Sequence, residues 1–219
     1  MKTKMKTKMK TKMKTKVFLS FLAIAFAFAG CKKDSTDPET VITATITELD
    51  AQASVTPNPP PAPPTITGEY TKFSFAEDGV VEGDNWDVAF RSTSIIVNGG
   101  VASDSSQPSR TGHAAVYLID GTMAEITSVD EALLMQDNSN VTAIIDDMGY
   151  QQMGWCVYDQ TTNIISPIAG KILVFRTHDN KYAKVEILNF YDSTMSNIYG
   201  GFYTFNYVYQ SEEGNLTFE

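Results

Sequence analysis

The sequence is short of the residues from which most enzyme centres are built. It holds two histidines, His113 and His178, and two cysteines, Cys31 and Cys156. A histidine-rich metal site is excluded, and no C-x-x-C pair exists for a metal or a redox couple. A G-x-S-x-G nucleophile elbow, an H-E-x-x-H zinc helix, a P-loop and a dinucleotide glycine fingerprint are all missing. The acids of Asp84-Asn85-Trp86-Asp87 lack the spacing of a calcium loop and read as turn residues on solvated faces. What remains is the profile of a binding protein, not of an enzyme.

Basic charge is also scarce where it would matter. Of 17 Lys and Arg, eight fall in the first sixteen residues, which are Met-Lys-Thr-Lys repeated four times. From Cys31 onward nine basic residues face 26 acidic ones, a formal charge of −17. Nucleic acid needs a basic footprint for its phosphates and is excluded as a partner.

Long apolar runs are absent as well. Residues 17–29 are apolar apart from Ser20, but a membrane-spanning helix needs roughly 20 such residues. A basic start followed by a short apolar stretch is the layout of a secretory signal peptide, here residues 1–30. Its end, Phe28-Ala29-Gly30-Cys31, resembles the bacterial lipobox, with Phe28 where Leu is usual. Cys31 is thus the expected lipidation site. Acyl chains on it would hold the chain to a membrane at ~0.8 kcal/mol per buried methylene. Lys32-Lys33-Asp34 follows and resembles the surface-export signal of Bacteroidetes lipoproteins. The expected location is the outer membrane, lipid-anchored and facing the exterior. With Cys31 lipidated, no intrachain disulfide is open to Cys156, which reads as a small buried hydrophobe.

Residues 31–64 read as the lipidated N-terminus and a linker. Thr56-Pro57-Asn58-Pro59-Pro60-Pro61-Ala62-Pro63-Pro64 reads as a stiff spacer extending ~3 Å per residue. Within this stretch, residues 41–48 are rich in β-branched side chains and form a candidate extra strand. Residues 65–219 are then the main domain, long enough for an ordinary core.

That domain reads as mainly β: an antiparallel sheet fold, a sandwich or partial barrel, with one short helix. Period-2 patterning and turn residues place strands at 70–75, 86–90, 94–97, 114–119, 171–176, 182–190 and 201–210. In the last, Tyr203, Phe205, Tyr207 and Tyr209 share one face. Asn98-Gly99-Gly100 reads as a turn. Ser128, with Glu131 three residues on, predicts a capped helix running to about Gln136. Aromatics make up 11% of the chain. Such a face either lines a pocket for a flat apolar ligand or is sandwich core.

A family resemblance emerges from these segments taken in order. Tyr70-Thr71-Lys72-Phe73-Ser74-Phe75, Gly79-Val80-Val81, Asn85-Trp86-Asp87-Val88-Ala89-Phe90 and Asn98-Gly99-Gly100 come first. Gly112-His113-Ala114-Ala115-Val116, Gly154-Trp155, Lys171-Ile172-Leu173-Val174-Phe175-Arg176, Ala183-Lys184-Val185 and Tyr203-Thr204-Phe205-Asn206-Tyr207-Val208-Tyr209 follow. Together they resemble the HmuY-like haem-binding lipoproteins of Bacteroidetes over nearly the whole domain. The resemblance implies an all-β domain on a lipid anchor that captures haem or a related porphyrin for iron acquisition, without catalysis. It also implies transfer to an outer-membrane haem receptor. In the best-known member two histidines clamp the iron, and this chain has neither; Gln160 stands near the place of one. His113 and His178 fall at non-ligand positions and read as exposed turn or loop residues. Other members use methionine, which makes Met148, Met153 and Met135 the candidate haem ligands here. The alternative is a non-haem ligand- or protein-binding domain that keeps the fold without the haem site.

Overall fold

The computed structural model describes residues 40–62, 64–144 and 154–219. Cys31, Met148 and Met153 lie outside the described residues. Thirteen strands form among those described: β1 (Val41–Asp50), β2 (Ser54–Thr56), β3 (Thr65–Thr67), β4 (Thr71–Ser74), β5 (Gly79–Val80), β6 (Val88–Arg91) and β7 (Ser94–Val97), then β8 (Ala115–Asp120), β9 (Cys156–Asp159), β10 (Ile164–Pro167), β11 (Lys171–Arg176), β12 (Tyr182–Asn189) and β13 (Phe202–Gln210). Five form one antiparallel sheet in the order β1-β13-β12-β11-β8, and four form a second in the order β5-β4-β6-β7. The pairs β2–β3 and β9–β10 are separate hairpins. Neither sheet closes into a barrel, and the arrangement is sandwich-like.

Alternation along β13 shows why the sheets stack. Tyr203, Phe205, Tyr207 and Tyr209 are all buried, while Phe202, Thr204, Asn206 and Val208 are half-buried on the other face. The buried row meets the inner face of the second sheet. Phe205 packs edge-on to Phe73 at 5.5 Å, Tyr207 lies 5.4 Å from Phe75, and Tyr203 lies 4.7 Å from Phe90. Tilted and T-shaped aromatic pairs of this kind add about 0.5–1.5 kcal/mol each beyond the area they bury. The aromatic face is therefore the core of the sandwich, not the lining of a ligand pocket.

The five-stranded sheet is covered on its outer face too. Tyr117, Val129, Ile172, Val174, Tyr182 and Phe218 form a second apolar cluster there. Lys184 crosses it, with Nζ donating to the carbonyls of Met123 (2.6 Å) and Ile126 (2.7 Å). A strand buried on both faces shows an unbroken apolar run instead of alternation, which accounts for Ile172-Leu173-Val174-Phe175.

Three expectations change. First, the candidate strand at 41–48 is the edge strand β1, paired along β13 from Val41↔Gln210 to Asp50↔Phe202, with a bulge between Ile46 and Leu49. The β unit thus begins well before residue 65, because a β-branched run adjacent to an open sheet edge satisfies its backbone by pairing. Second, the proline-rich stretch is not an extended spacer. Val55 pairs with Ile66 and Thr56 with Thr65, so it closes the β2–β3 hairpin. Third, the helix shrinks to one 3-10 turn, Glu131–Leu133, capped by Asp130 and not Ser128. The Asp130 carboxylate accepts from the Ala132 N–H at 3.1 Å, while Ser128 bridges to Thr217. Beyond the turn Met135 exchanges both backbone hydrogen bonds with Val116, at 2.9 and 3.0 Å, which demands extended chain. Among the described residues no helix is long and apolar enough to cross a membrane.

Candidate functional site

The β6–β7 hairpin turns at Arg91, Ser92, Thr93 and Ser94, and this turn forms one wall of a cleft of about 730 Å³. The segment leaving the 3-10 turn lines it with Met135, Val141 and Ala143, together with Tyr70 and Ile66, and with Asp104 and Gln107 from the 101–110 loop. The volume lies within the roughly 300–1,000 Å³ typical of small-molecule sites. Met135 is 56% exposed and Val141 58%, so apolar groups stand open to a ligand. A second, more apolar cavity of about 540 Å³, lined by Pro57, Tyr158, Ile165 and Tyr199, shares Ile66 and Thr93 with the first.

One carboxylate holds the walls together. Asp137 is buried, and its Oδ2 accepts from the Val97 N–H (3.0 Å) and from Arg110 Nη2 (2.9 Å). Its Oδ1 accepts from the Ala143 N–H (2.8 Å), and its backbone carbonyl accepts from the Val101 N–H (3.0 Å). β7, the 101–110 loop and the 138–143 segment thus converge on one side chain. Burial pushes the Asp137 carboxyl above the usual carboxylate range, opposed by the two backbone N–H donors and the Arg110 guanidinium. Gly99 and Gly100 serve the same closure. A Cβ on Gly99 would stand 1.9 Å from the Ala114 carbonyl oxygen, and one on Gly100, at φ +80°, would stand 1.9 Å from that of Asp137. The glycines admit close backbone approach as well as ending β7.

Arg91 is the cation of the cleft. It is 8% exposed, and its guanidinium lies 4.2 Å over the Tyr70 ring. Nη1 donates to the Gly68 carbonyl (3.3 Å) and to Ser106 Oγ (2.9 Å). Nε is buried with no hydrogen-bond partner.

Of the sequence-predicted ligands, the structure brings Met135 to this cleft; Met148 and Met153 fall in the stretch outside the described residues. One flank of that stretch lines the cleft and the other packs behind it. Ala143 lines it on one side, and on the other the Trp155 indole N–H donates to the carbonyl of Thr93 at 3.0 Å. Cys156 is fully buried in the core.

Neither histidine lines the cleft. His113 is exposed, as read from the sequence, but His178 is not a free turn residue. Its backbone N–H (2.8 Å) and ring Nδ1 (2.7 Å) both engage Asp87 Oδ1, while Asp87 Oδ2 accepts from the Phe75 N–H (2.8 Å). Asp87 is 1% exposed, which overturns its reading as a solvated turn acid. The hydrogen bond that the Asp87 carboxylate accepts raises the His178 pKa above its ordinary value. Asp87, His178 and Asp179 offer ligand atoms within 4.8 Å of one another. Asp179, however, is taken by Lys181 (2.9 Å) and Thr177 (2.7 Å), so the group works as a hydrogen-bonded staple between the two sheets.

Arg91 and Asp137 were invisible to motif reading. Arg91 closes the apolar run Val88-Ala89-Phe90 as an ordinary strand end, and Asp137 follows Met135-Gln136 with no pattern. An arginine and an aspartate become informative only once their burial is known.

Residues 67–207 match the family described as HmuY protein. No curated protein matches the chain in sequence. Among solved structures, a candidate HmuY-like haem-binding protein from Bacteroides vulgatus is 18% identical, with 81% of this chain and 96% of that one covered at a TM-score of 0.46. A candidate lipoprotein from Bacteroides fragilis is 14% identical, with 80% and 92% covered and a TM-score of 0.46. The apo HmuY analogue from Tannerella forsythia is 13% identical, with 80% and 100% covered and a TM-score of 0.35. On the family match, which takes in most of the β unit from β3 nearly to the end of β13, this chain belongs to the HmuY family.

Proposed function

We propose that this chain is a lipid-anchored protein that binds haem or a related porphyrin in the cleft between the β6–β7 hairpin and the 135–143 segment. The observation that carries this reading is the placement of the exposed Met135 side chain in a cleft of about 730 Å³ that also holds the nearly buried Arg91. The residues suit the group. A thioether is an established axial donor to haem iron, and Tyr70, Ile66 and Val141 offer apolar surface to a flat ring. Haem would supply a redox-active iron that a soft donor such as Met135 would hold. Met148 and Met153 are the proposed further ligands, since the segment carrying them follows closely on Ala143, a residue of the cleft lining. The protein's own part is to hold the ring, exclude water from it and deliver it to an outer-membrane haem receptor. Lipid on Cys31 would keep it at the outer membrane facing the exterior, as Lys32-Lys33-Asp34 suggests.

Titration of the full chain with haem, oxidised and reduced, tests the reading. A saturable Soret shift is expected, weakened by Met135→Ala, Met148→Ala or Met153→Ala. A Soret band that never shifts saturably ends the haem reading. It would leave the second one, a non-haem ligand in the same cleft, favoured by the absence of histidine from the described cleft lining.

A further inference from the structure

Arg91 is a buried cation with no acid paired to it among the described residues. A guanidinium carries five N–H donors and stays protonated at every working pH. Charges removed from water are nearly always paired, because leaving one alone is costly. Arg91 is only 8% exposed, yet it forms no ion pair among the described residues. The nearby acid does not serve. Ser106 Oγ accepts from Arg91 and donates to Asp104 Oδ1, so the exposed Asp104 carboxylate is one hydrogen bond removed. Among the described residues Arg91 Nε has no hydrogen-bond partner.

Four other basic side chains show how such charges are settled here, while among the described residues Lys72 and Arg176 donate to backbone carbonyls only. The Arg110 side chain is 2% exposed and meets Asp137. Lys171 and Lys181 meet Asp120 and Asp179. Lys184 is buried without an acid, but its Nζ donates to two carbonyls within 2.7 Å and the Phe218 ring covers it. Arg91 differs from all four: it lines an open cleft, and only Nη1 of its fork is engaged.

We infer that Arg91 is the anchor for a carboxylate carried by the ligand, so that this cleft selects acidic ligands from otherwise similar neutral ones. The inference rests on the haem reading and names the part of haem that is recognised, a propionate side chain. A planar guanidinium pairs with a carboxylate through two parallel hydrogen bonds, which fixes orientation as well as strength. The Tyr70 ring lies beside the guanidinium, with Cζ 4.2 Å from its centroid. In a chain with so large an excess of acid, an acidic ligand needs one such local cation to overcome the general repulsion.

Haem and haem dimethyl ester, which differ only in the two carboxylates, decide the matter when each is titrated into the wild-type full chain and into Arg91→Gln. Wild type is expected to bind haem at least about tenfold more tightly than the ester, the worth of one charge-assisted hydrogen bond. Arg91→Gln should bring haem down to the ester's affinity and leave the ester unchanged. Arg91→Lys, which keeps charge and stem, replaces Arg91→Gln if the latter does not fold, and should retain part of the preference. Equal binding of acid and ester to wild type overturns the inference while the haem reading stands. An acid preference that survives intact in Arg91→Gln overturns the assignment to Arg91. If neither compound binds, the haem reading fails and the inference falls with it.

Discussion

Replacing Asp87 by Asn should unfasten the two sheets at one end of the sandwich. Asp87 begins the approach to β6, and the group it holds, His178, lies 91 residues away in the β11–β12 turn of the other sheet. Its carboxylate accepts three hydrogen bonds: two on Oδ1 from the His178 N–H and Nδ1, and one on Oδ2 from the Phe75 N–H. An amide of the same shape keeps one acceptor oxygen and turns an NH2 toward the other donors. Whichever way it flips, at least one N–H at a site 1% exposed is left without an acceptor. The imidazole also gives up its charged partner. At about 1–3 kcal/mol for each stranded group, and somewhat more for the charge-assisted bond to the ring, the expected cost is about 3–5 kcal/mol. The assay is urea unfolding followed by tryptophan fluorescence, where the midpoint falls while the slope stays constant. The same series should be run against pH. The folded His178 pKa lies above its ordinary 6.5. Such a group contributes stability that is full below the unfolded pKa and is lost as pH rises through the folded one. Wild type should therefore lose part of its margin on moving from acid to alkaline conditions across that window, and Asp87→Asn should not. A cost under about 1 kcal/mol, or an unchanged pH slope in the variant, would refute the claim that Asp87 ties the sheets together through His178.

Other perturbations have equally definite outcomes. Arg110→Ala strands the buried Asp137 carboxylate and should cost about 3–5 kcal/mol in thermal or urea unfolding at neutral pH. The deficit should shrink in acid, because a carboxyl whose folded pKa is raised contributes most below the unfolded value and loses that contribution as pH rises through the folded one. Gly99→Ala places a Cβ 1.9 Å from the Ala114 carbonyl oxygen, backbone that has no side-chain rotamer to yield. A loss of about 3 kcal/mol is expected, read as a lower urea midpoint. Cys31→Ala should abolish incorporation of labelled palmitate and release the protein from membranes into the soluble fraction; retained label would refute the assignment of Cys31.

The strands were legible in the sequence wherever one face is buried and the other is not. Along β13 each residue reverses the side of the one before, so Tyr203, Phe205, Tyr207 and Tyr209 had to share a face once the segment became a strand. The run Ile172–Phe175 was legible as a strand for the opposite reason, burial on both sides. Where local signals competed with long-range pairing, pairing won. Ser128 and Glu131 have the spacing of a capping box, but Met135 finds two backbone partners on Val116 and the chain straightens. The prolines after Thr56 favour extension locally, yet Val55 and Ile66 hold the ends of that segment together.

The candidate site divides along the same line. Sequence by itself determined the chemistry on offer: few histidines, no catalytic motif, and a strongly acidic chain whose start resembles a lipoprotein's. It also carried, in the order of its motifs, the family to which the chain belongs. Only the tertiary structure decided which groups meet. Arg91 and Met135 belong to separate segments and share a cleft, while Asp87 and His178 meet across the sandwich and leave His178 unavailable there. Residue type is a local property and can be read along the chain. Burial, pairing and the lack of a partner arise only when distant segments pack, and they are what turn a strand-end arginine into a candidate anchor for a ligand's charge.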